Sequence, residues 1–455
     1  MMESLSTSRV EETTIVSRIL RMSDWRLFVA IFCLAFGIRL ALLVVKPDYR
    51  QHFQPEEVRL AISIAEHGQF ADPFGLPTGP SAASPPVYPF LLSFFIRLFG
   101  SGVGGALSIA LFTCILSSLQ YASMIFLSRG LGIPRVVCIL AAFWGAVTPF
   151  QLESEMRGRF ENTLSACALL GLTLLTAAWL QKKSGGFRRN VLIGVAWGVA
   201  IQISTSLLPI FAVWVVYGLF WKYRTEGNVM PYLRGTATAV VAILVLLVPW
   251  TVRNYISLGS PIWSRDNFGG DLHMAYDDCA EPTMLENMRS GCFYSRHPTG
   301  NFDEATRARQ LGEVEYNRQR LTEAETWIKS HPARFANLTF FHYVRFWFVD
   351  FDRNDMPRLT GSLMVYFWAL TILSFVGLAI VLRTGHPAGW LLGTGMVAYS
   401  LIYCLHQALA RYRYPIYWMT ELLAVYAIVW LSQTFWKRRV PAQDLMLREW
   451  RVAGR

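Results

Sequence analysis

Charge is scarce in this chain. Only 16% of its residues are Asp, Glu, Lys or Arg, against about 25% in ordinary soluble domains, so a water-soluble globular protein is excluded. No segment is of low complexity, and no internal repeat of about 20–50 residues is present, which excludes a solenoid. The eight His residues show no metal-ligand spacing, so no zinc centre is expected. Residues 1–25 are polar, and no small-residue cleavage site follows the first apolar run, Trp25 to Val45. That run is expected to remain as a signal anchor.

Apolar residues fill the place of the missing charge. The 455-residue chain is 53% hydrophobic with a mean hydropathy of +0.33, and runs of roughly 18 or more apolar residues recur, long enough for about 30 Å of hydrocarbon. The pattern predicts an all-α polytopic membrane protein of about ten transmembrane helices. The spans are 25–45, 103–128, 133–149, 160–180, 190–206, 207–221, 235–252, 360–382, 388–405 and 413–434. A net charge of +11 does not imply nucleic acid here, because no basic stripe with interleaved aromatics lies outside the apolar runs. The Lys and Arg residues instead mark alternate loops. Arg18, Arg21 and Arg26 precede the first span; Arg129 with Arg135, the stretch "KKSGGFRR", Lys222 with Arg224 and Arg234, Arg383, and the tail Lys437–Arg439 follow on the same side. By the positive-inside rule both termini are cytoplasmic. The expected organisation is a cytoplasmic segment 1–25, a transmembrane module 26–252 with a first outer loop 46–102, a soluble α-helical insert 253–359 on the outer face, C-terminal spans 360–434 and a cytoplasmic tail 435–455. Residues 84–99, short and opened by a Pro pair, are expected to lie on the outer membrane face.

Five cysteines fall in or near spans, where a small apolar packing role is ordinary. Cys279 and Cys292, both in the insert, are expected to form a disulfide if that face is oxidising.

The first outer loop carries adjacent acids. After Pro55 the sequence reads as a helix start with Glu56 and Glu57 in the first turn, where the helix dipole favours anions. Leu60, Ala61, Ile64 and Ala65 then form an apolar stripe. Such acids can be solvated loop charges, can pair with a neighbour such as Arg59, or can act as a general base at the membrane edge. A second acidic cluster, "QLESEMRGRFEN", holds Glu153, Glu155 and Glu161; Glu155 and Arg159 at i,i+4 also fit a plain surface bridge. Arg253 closes one span, and "RYRY", Arg411 to Tyr414, opens the last. Arg and Tyr at headgroup level are ordinary interfacial anchors, and Arg is equally suited to holding a phosphate.

Four stretches carry a resemblance: "EEVRLAISIAEHGQFADPF" with "GPSAASPPVYPFLLSFFIRLFG", then "PWTVRNYISLGSPIWSRDNFGGDL", "LGEVEYNRQRLTEAETWIKSHPARF" and "ARYRYPIYWM". In this order they resemble the bacterial GT-C glycosyltransferases, the glycosyltransferase family 39-like group of lipid A aminoarabinose transferases and protein O-mannosyltransferases. The resemblance implies a GT-C-like fold in the bacterial inner membrane, with the active site on the periplasmic face. It implies inverting transfer of a sugar from a polyprenyl-phosphate donor to an acceptor hydroxyl or phosphate on a glycolipid, polymer or protein. The first-loop acid would be the base, and Glu56 takes that position; several relatives carry Asp followed by Glu, where this chain has Glu56 and Glu57. Arg413, Arg411, Arg253 and Tyr414 would hold the donor phosphate, and Glu153, Glu155 and Arg59 would border the acceptor cavity. No metal or cofactor is implied, because the leaving group carries a single phosphate. Two other readings stand beside this one: a non-catalytic lipid-binding relative, and a transporter or flippase of lipid-linked sugars. A transporter places ionisable residues mid-span, whereas spans 103–128 and 235–252 have none and Arg39 is the exception.

Overall fold

A computed structural model describes residues 19–45, 55–148, 161–181, 186–350 and 360–437. Glu153 and Glu155 lie outside the described residues. The described chain is helical, and its β-pairing is confined to two isolated bridges. Seven helical segments are long and apolar enough to cross a membrane, which makes the chain an all-α polytopic membrane protein. They contain α1 (Asp24–Val45), α4 (Val103–Ser123, prolonged through α5, Leu127–Leu131), α7 (Asn162–Gln181), α9 (Leu208–Glu226), α10 (Met230–Leu258), α17 (Thr360–Arg383) and α19 (Tyr417–Lys437). The other three expected spans are shorter: α6 (Arg135–Val147), α8 (Phe187–Ile203) and α18 (Pro387–Ile402). At about 1.5 Å per residue their lengths fall below the roughly 30 Å that a straight span needs.

All ten helices nevertheless share one interior. α17 packs along α19, α8 along α10, and α1 along α4. Their buried faces, including Trp197, Trp214, Trp418 and Met396, merge into one apolar core. Outward-facing residues such as Val241, Leu244, Val245 and Val248 on α10 are exposed, as a lipid-facing surface requires. At one end of the bundle Asp24 pairs with Arg129 at 2.6 Å and Arg135 at 2.9 Å, so the start of α1 and the α5–α6 junction share that end.

Between α1 and α4 lie α2 (Glu56–His67) and α3 (Val87–Phe99). α2 starts after Pro55 and stops at Gly68, whose φ of 69° lets its amide close on Ile64 O. It is wedged on two sides: Val58 and Ala61 meet Tyr88, Leu92 and Ile96 of α3, while Leu60 and Ile64 meet Phe70 and Trp250. α3 leaves Phe90, Phe94, Leu98 and Phe99 exposed. Its 13 residues span about 20 Å, too little to cross a bilayer.

The insert comprises α11 (Phe268–Ala275), α12 (Met284–Ser290), α13 (Cys292–Arg296), α14 (Phe302–Leu311), α15 (Glu313–Ser330) and α16 (Pro332–Trp347). Gly312, at φ 78°, separates α14 from α15. The buried face of α15 is largely polar: Tyr316, Asn317, Arg320 and Ala324 are inside, whereas Leu321, Trp327 and Ile328 are only partly covered. Arg320 is admitted because Glu304 and Glu323 flank its guanidinium; a buried charge is tolerated only when paired. α11 meets α15 so closely that a side chain at Gly269 would overlap the Asn317 carbonyl. Cys279 and Cys292 are joined at an S–S distance of 2.07 Å. The insert is tied to the segment before the last span by Met284 N donating to Ala408 O (3.2 Å) and Tyr276 OH donating to Cys404 O (2.8 Å).

Candidate functional site

At the end of the bundle opposite Asp24, four chain segments converge on a recess. The first turn of α2 contributes Glu56 and Glu57. Glu161 stands directly before α7. Arg265 and Asp271 come from the start of the insert. His406, Arg411 and Tyr412 come from the turn leading into the 3₁₀ segment Ala410–Ile416 and from that segment itself. Dispersed in sequence, these residues form one electrostatic unit.

Glu57 faces inward. Burial pushes its carboxyl up to about 8, with help from Glu161 and Glu56, while Arg411 opposes the shift; its Oε2 is enclosed without a hydrogen-bond partner. Two acids this close in a poorly solvated place cannot both ionise freely. Glu56 points the other way, toward the insert. Its Oε1 accepts from Thr299 Oγ1 at 3.3 Å and lies 3.7 Å from His297 Nε2. Arg265 is surrounded by acid: burial alone would lower its pKa, but Asp271, Glu161, Glu56 and Glu57 together raise it. Burial would raise the Asp271 carboxyl, yet His406 and Arg265 hold it below the usual range. Asp271 Oδ2 accepts from Asn267 Nδ2 at 2.6 Å and sits 3.6 Å from both Arg265 and His406. His406 is correspondingly raised: burial opposes its charge, and Asp271 overcomes that.

The loop from α2 to α3 is shaped for this site. Phe70 and Ser81 are drawn together by Ser81 N donating to Phe70 O (3.0 Å), and Asp72 caps Gly79 N at 2.8 Å. Arg253 then fastens the loop to α10, donating to Ser81 O and Phe70 O at 2.6 Å each while lying over the Phe70 and Trp250 rings. From the insert, Glu313 accepts from Ala82 N at 2.6 Å and from Ser81 Oγ. Burial pushes the Glu313 carboxyl up to about 8 despite those two donors, and Asp266 nearby is pushed by burial to about 6.

Not every residue singled out from the sequence reaches the recess. Glu56, Glu57 and Arg411 do. Arg253 supports the loop behind it. Arg413 is fully buried and donates to Trp347 O (2.8 Å) and Thr371 Oγ1 (2.6 Å), between the Trp347 and Tyr417 rings. Tyr414 is buried in a small core with Val349, Leu363 and Phe367. The i,i+2 spacing of "RYRY" therefore puts its two arginines in different surroundings. Arg59 lies on α2 with Nη1 enclosed and without a hydrogen-bond partner. Arg265 and Asp271 lie within the stretch "PWTVRNYISLGSPIWSRDNFGGDL", where no local pattern assigns either a role, and His406 has no partner in its own stretch of sequence. Glu421, buried near the start of α19, likewise has no local pattern to mark it.

Between the loop and the insert runs a cleft, with Glu56, Asp266, Asp271, Glu313, Asn317 and Phe74 among its walls. Glu57 is not among the cleft-lining residues. Among the described residues, no group of three or more His, Cys, Asp or Glu side chains is arranged to hold a metal ion. A scan against protein-family profiles finds no match, and a search of curated proteins finds none at a significant level.

Proposed function

We propose that this protein is a GT-C-like, ten-span inverting glycosyltransferase of the bacterial inner membrane. It takes a sugar from a polyprenyl-phosphate donor at the outer face. The observation that supports the reading is the recess itself: a carboxylate pair in the first turn of a short helix, opposed by Arg411 and Arg265.

The chemistry follows from the charges. An acceptor hydroxyl approaches from the cleft and gives its proton to Glu56, which faces that way. Its oxygen forms the new bond to the anomeric carbon. The bond from that carbon to the phosphate oxygen breaks on the opposite face, and its electron pair leaves on the phosphate. Arg411 and Arg265 hold the charge that develops there. Glu57, held largely protonated while the recess is empty, stays out of the proton transfer and donates a hydrogen bond instead. Arg253 positions the loop rather than touching phosphate.

The test is turnover of radiolabelled polyprenyl-phosphate sugars by purified protein in lipid nanodiscs, scored as polyprenyl phosphate released. Wild type releases it from one donor of the panel, and Arg265→Ala and Arg411→Ala each reduce release about 10²–10³-fold. If neither arginine matters to a donor that is turned over, the phosphate does not sit there.

A further inference from the structure

We propose that the cleft between the first loop and the insert receives a neutral glycan, so that the acceptor group is a sugar hydroxyl and not a phosphate. This rests on the transferase reading above and narrows it.

The argument is one of charge. The cleft's strong cations are already neutralised from behind. Arg296 Nε pairs with Asp277 Oδ2 at 2.8 Å, and Arg320 pairs with Glu304 and Glu323. None of those three acids lines the cleft. His273, between Asp277 and Glu323, is kept neutral by burial and by Arg320. What the cleft leaves to a ligand is Glu56 and Asp266, because Glu313 is held by Ser81 and Ala82 with its carboxyl pushed up to about 8, and Asp271 is met from behind by Arg265 and His406. Asp266 is anchored through its backbone, its amide donating to Ala82 O (2.7 Å) and its carbonyl accepting from Asn317 Nδ2 (2.8 Å), while its Oδ2 is enclosed with no hydrogen-bond partner. An enclosed acceptor without a donor is a cost the fold must recover elsewhere. A ligand hydroxyl supplies that donor. A phosphate supplies none, and would enter against Glu56 and Asp266. Phe74, edge-on to His297 at 6.2 Å, offers an apolar face to the C–H side of a sugar ring.

The experiment compares octyl glycosides (glucoside, galactoside, mannoside, maltoside) with their 6-phosphates, as acceptors and as ligands, using full-length protein in nanodiscs. Donor hydrolysis by water is recorded in parallel. A neutral octyl glycoside binds and accepts label, its 6-phosphate binds at least tenfold more weakly, and Asp266→Asn weakens the neutral ligand about tenfold and lowers transfer more than hydrolysis. Asp266→Lys narrows the gap between the two ligands. Tighter binding of the 6-phosphate to wild type overturns the proposal, as does binding of no glycoside at all, or an equal loss of hydrolysis and transfer in Asp266→Asn. Binding is read without donor turnover, so a failure of the transferase reading shows separately, as absent hydrolysis with glycoside binding intact.

Discussion

Replacing Glu57 by Gln probes how the recess is built. Its carboxyl is raised from an ordinary 4.5 to about 8, first by burial and then by Glu161 and Glu56. A raised carboxyl means that the folded protein holds a proton the unfolded chain has released. The folded state therefore binds more protons between pH 4.5 and 8, and the contribution of Glu57 to stability is whole below 4.5 and is lost as pH rises through 8. At about 1.4 kcal/mol per pH unit the ceiling is about 5 kcal/mol. Glu57 is only half-buried, so part of that ceiling is screened by solvent and about 2 kcal/mol is the working figure. Glu57→Gln keeps the shape and removes the titration. Thermal unfolding followed by tryptophan fluorescence from pH 5 to 9 should show wild type losing stability across this window and Glu57→Gln losing less, with a gain on the order of a few °C at pH 9. A variant as steep as wild type, or less stable at pH 9, would refute the account of the carboxylate pair.

Further expectations concern the parts around that pair. Glu313→Ala removes the acceptor for Ser81 and Ala82 and should cost about 1–3 kcal/mol, seen as faster proteolysis of the loop between α2 and α3. Because the Glu313 carboxyl is also raised to about 8, the loop should loosen in wild type as pH passes upward through that value and not in Glu313→Gln. Cys292→Ser should cost about 3 kcal/mol, the figure for a short closed loop, and abolish the mobility shift between reduced and oxidised gels. Donor turnover should persist in EDTA; a rate lost in EDTA and restored by a divalent cation would overturn this expectation.

Architecture was legible where chemistry repeats along the chain. Long apolar runs announce α1, α4, α10 and α17 because a lipid-facing helix must be apolar along its whole length. Pro55 and two acids announce the start of α2, and Gly68 its end. The three short helices are apolar enough to read as full spans, but α6 and α18 have 13 and 16 residues, and α8 gives way to the 3₁₀ turn Thr205–Leu207 after 17. The site was legible only where charges are adjacent. Glu56 and Glu57 announce themselves as a pair, and "RYRY" drew attention to Arg413, which the fold encloses. Arg265, Asp271 and His406 meet only after the insert docks, a juxtaposition that no local pattern encodes. The orientation of the two glutamates likewise depends on α2 being wedged between α3 and Trp250.

The central claim is that Glu56, facing the cleft, takes the acceptor proton, while its neighbour Glu57 faces inward and does not. It is tested most directly by measuring transfer from the preferred polyprenyl-phosphate sugar in wild type, Glu56→Gln and Glu57→Gln, side by side at pH 7. The account predicts that Glu56→Gln loses at least about 10²-fold in kcat with donor binding retained, and that Glu57→Gln keeps most of its rate. Loss in Glu57→Gln with Glu56→Gln active would contradict it.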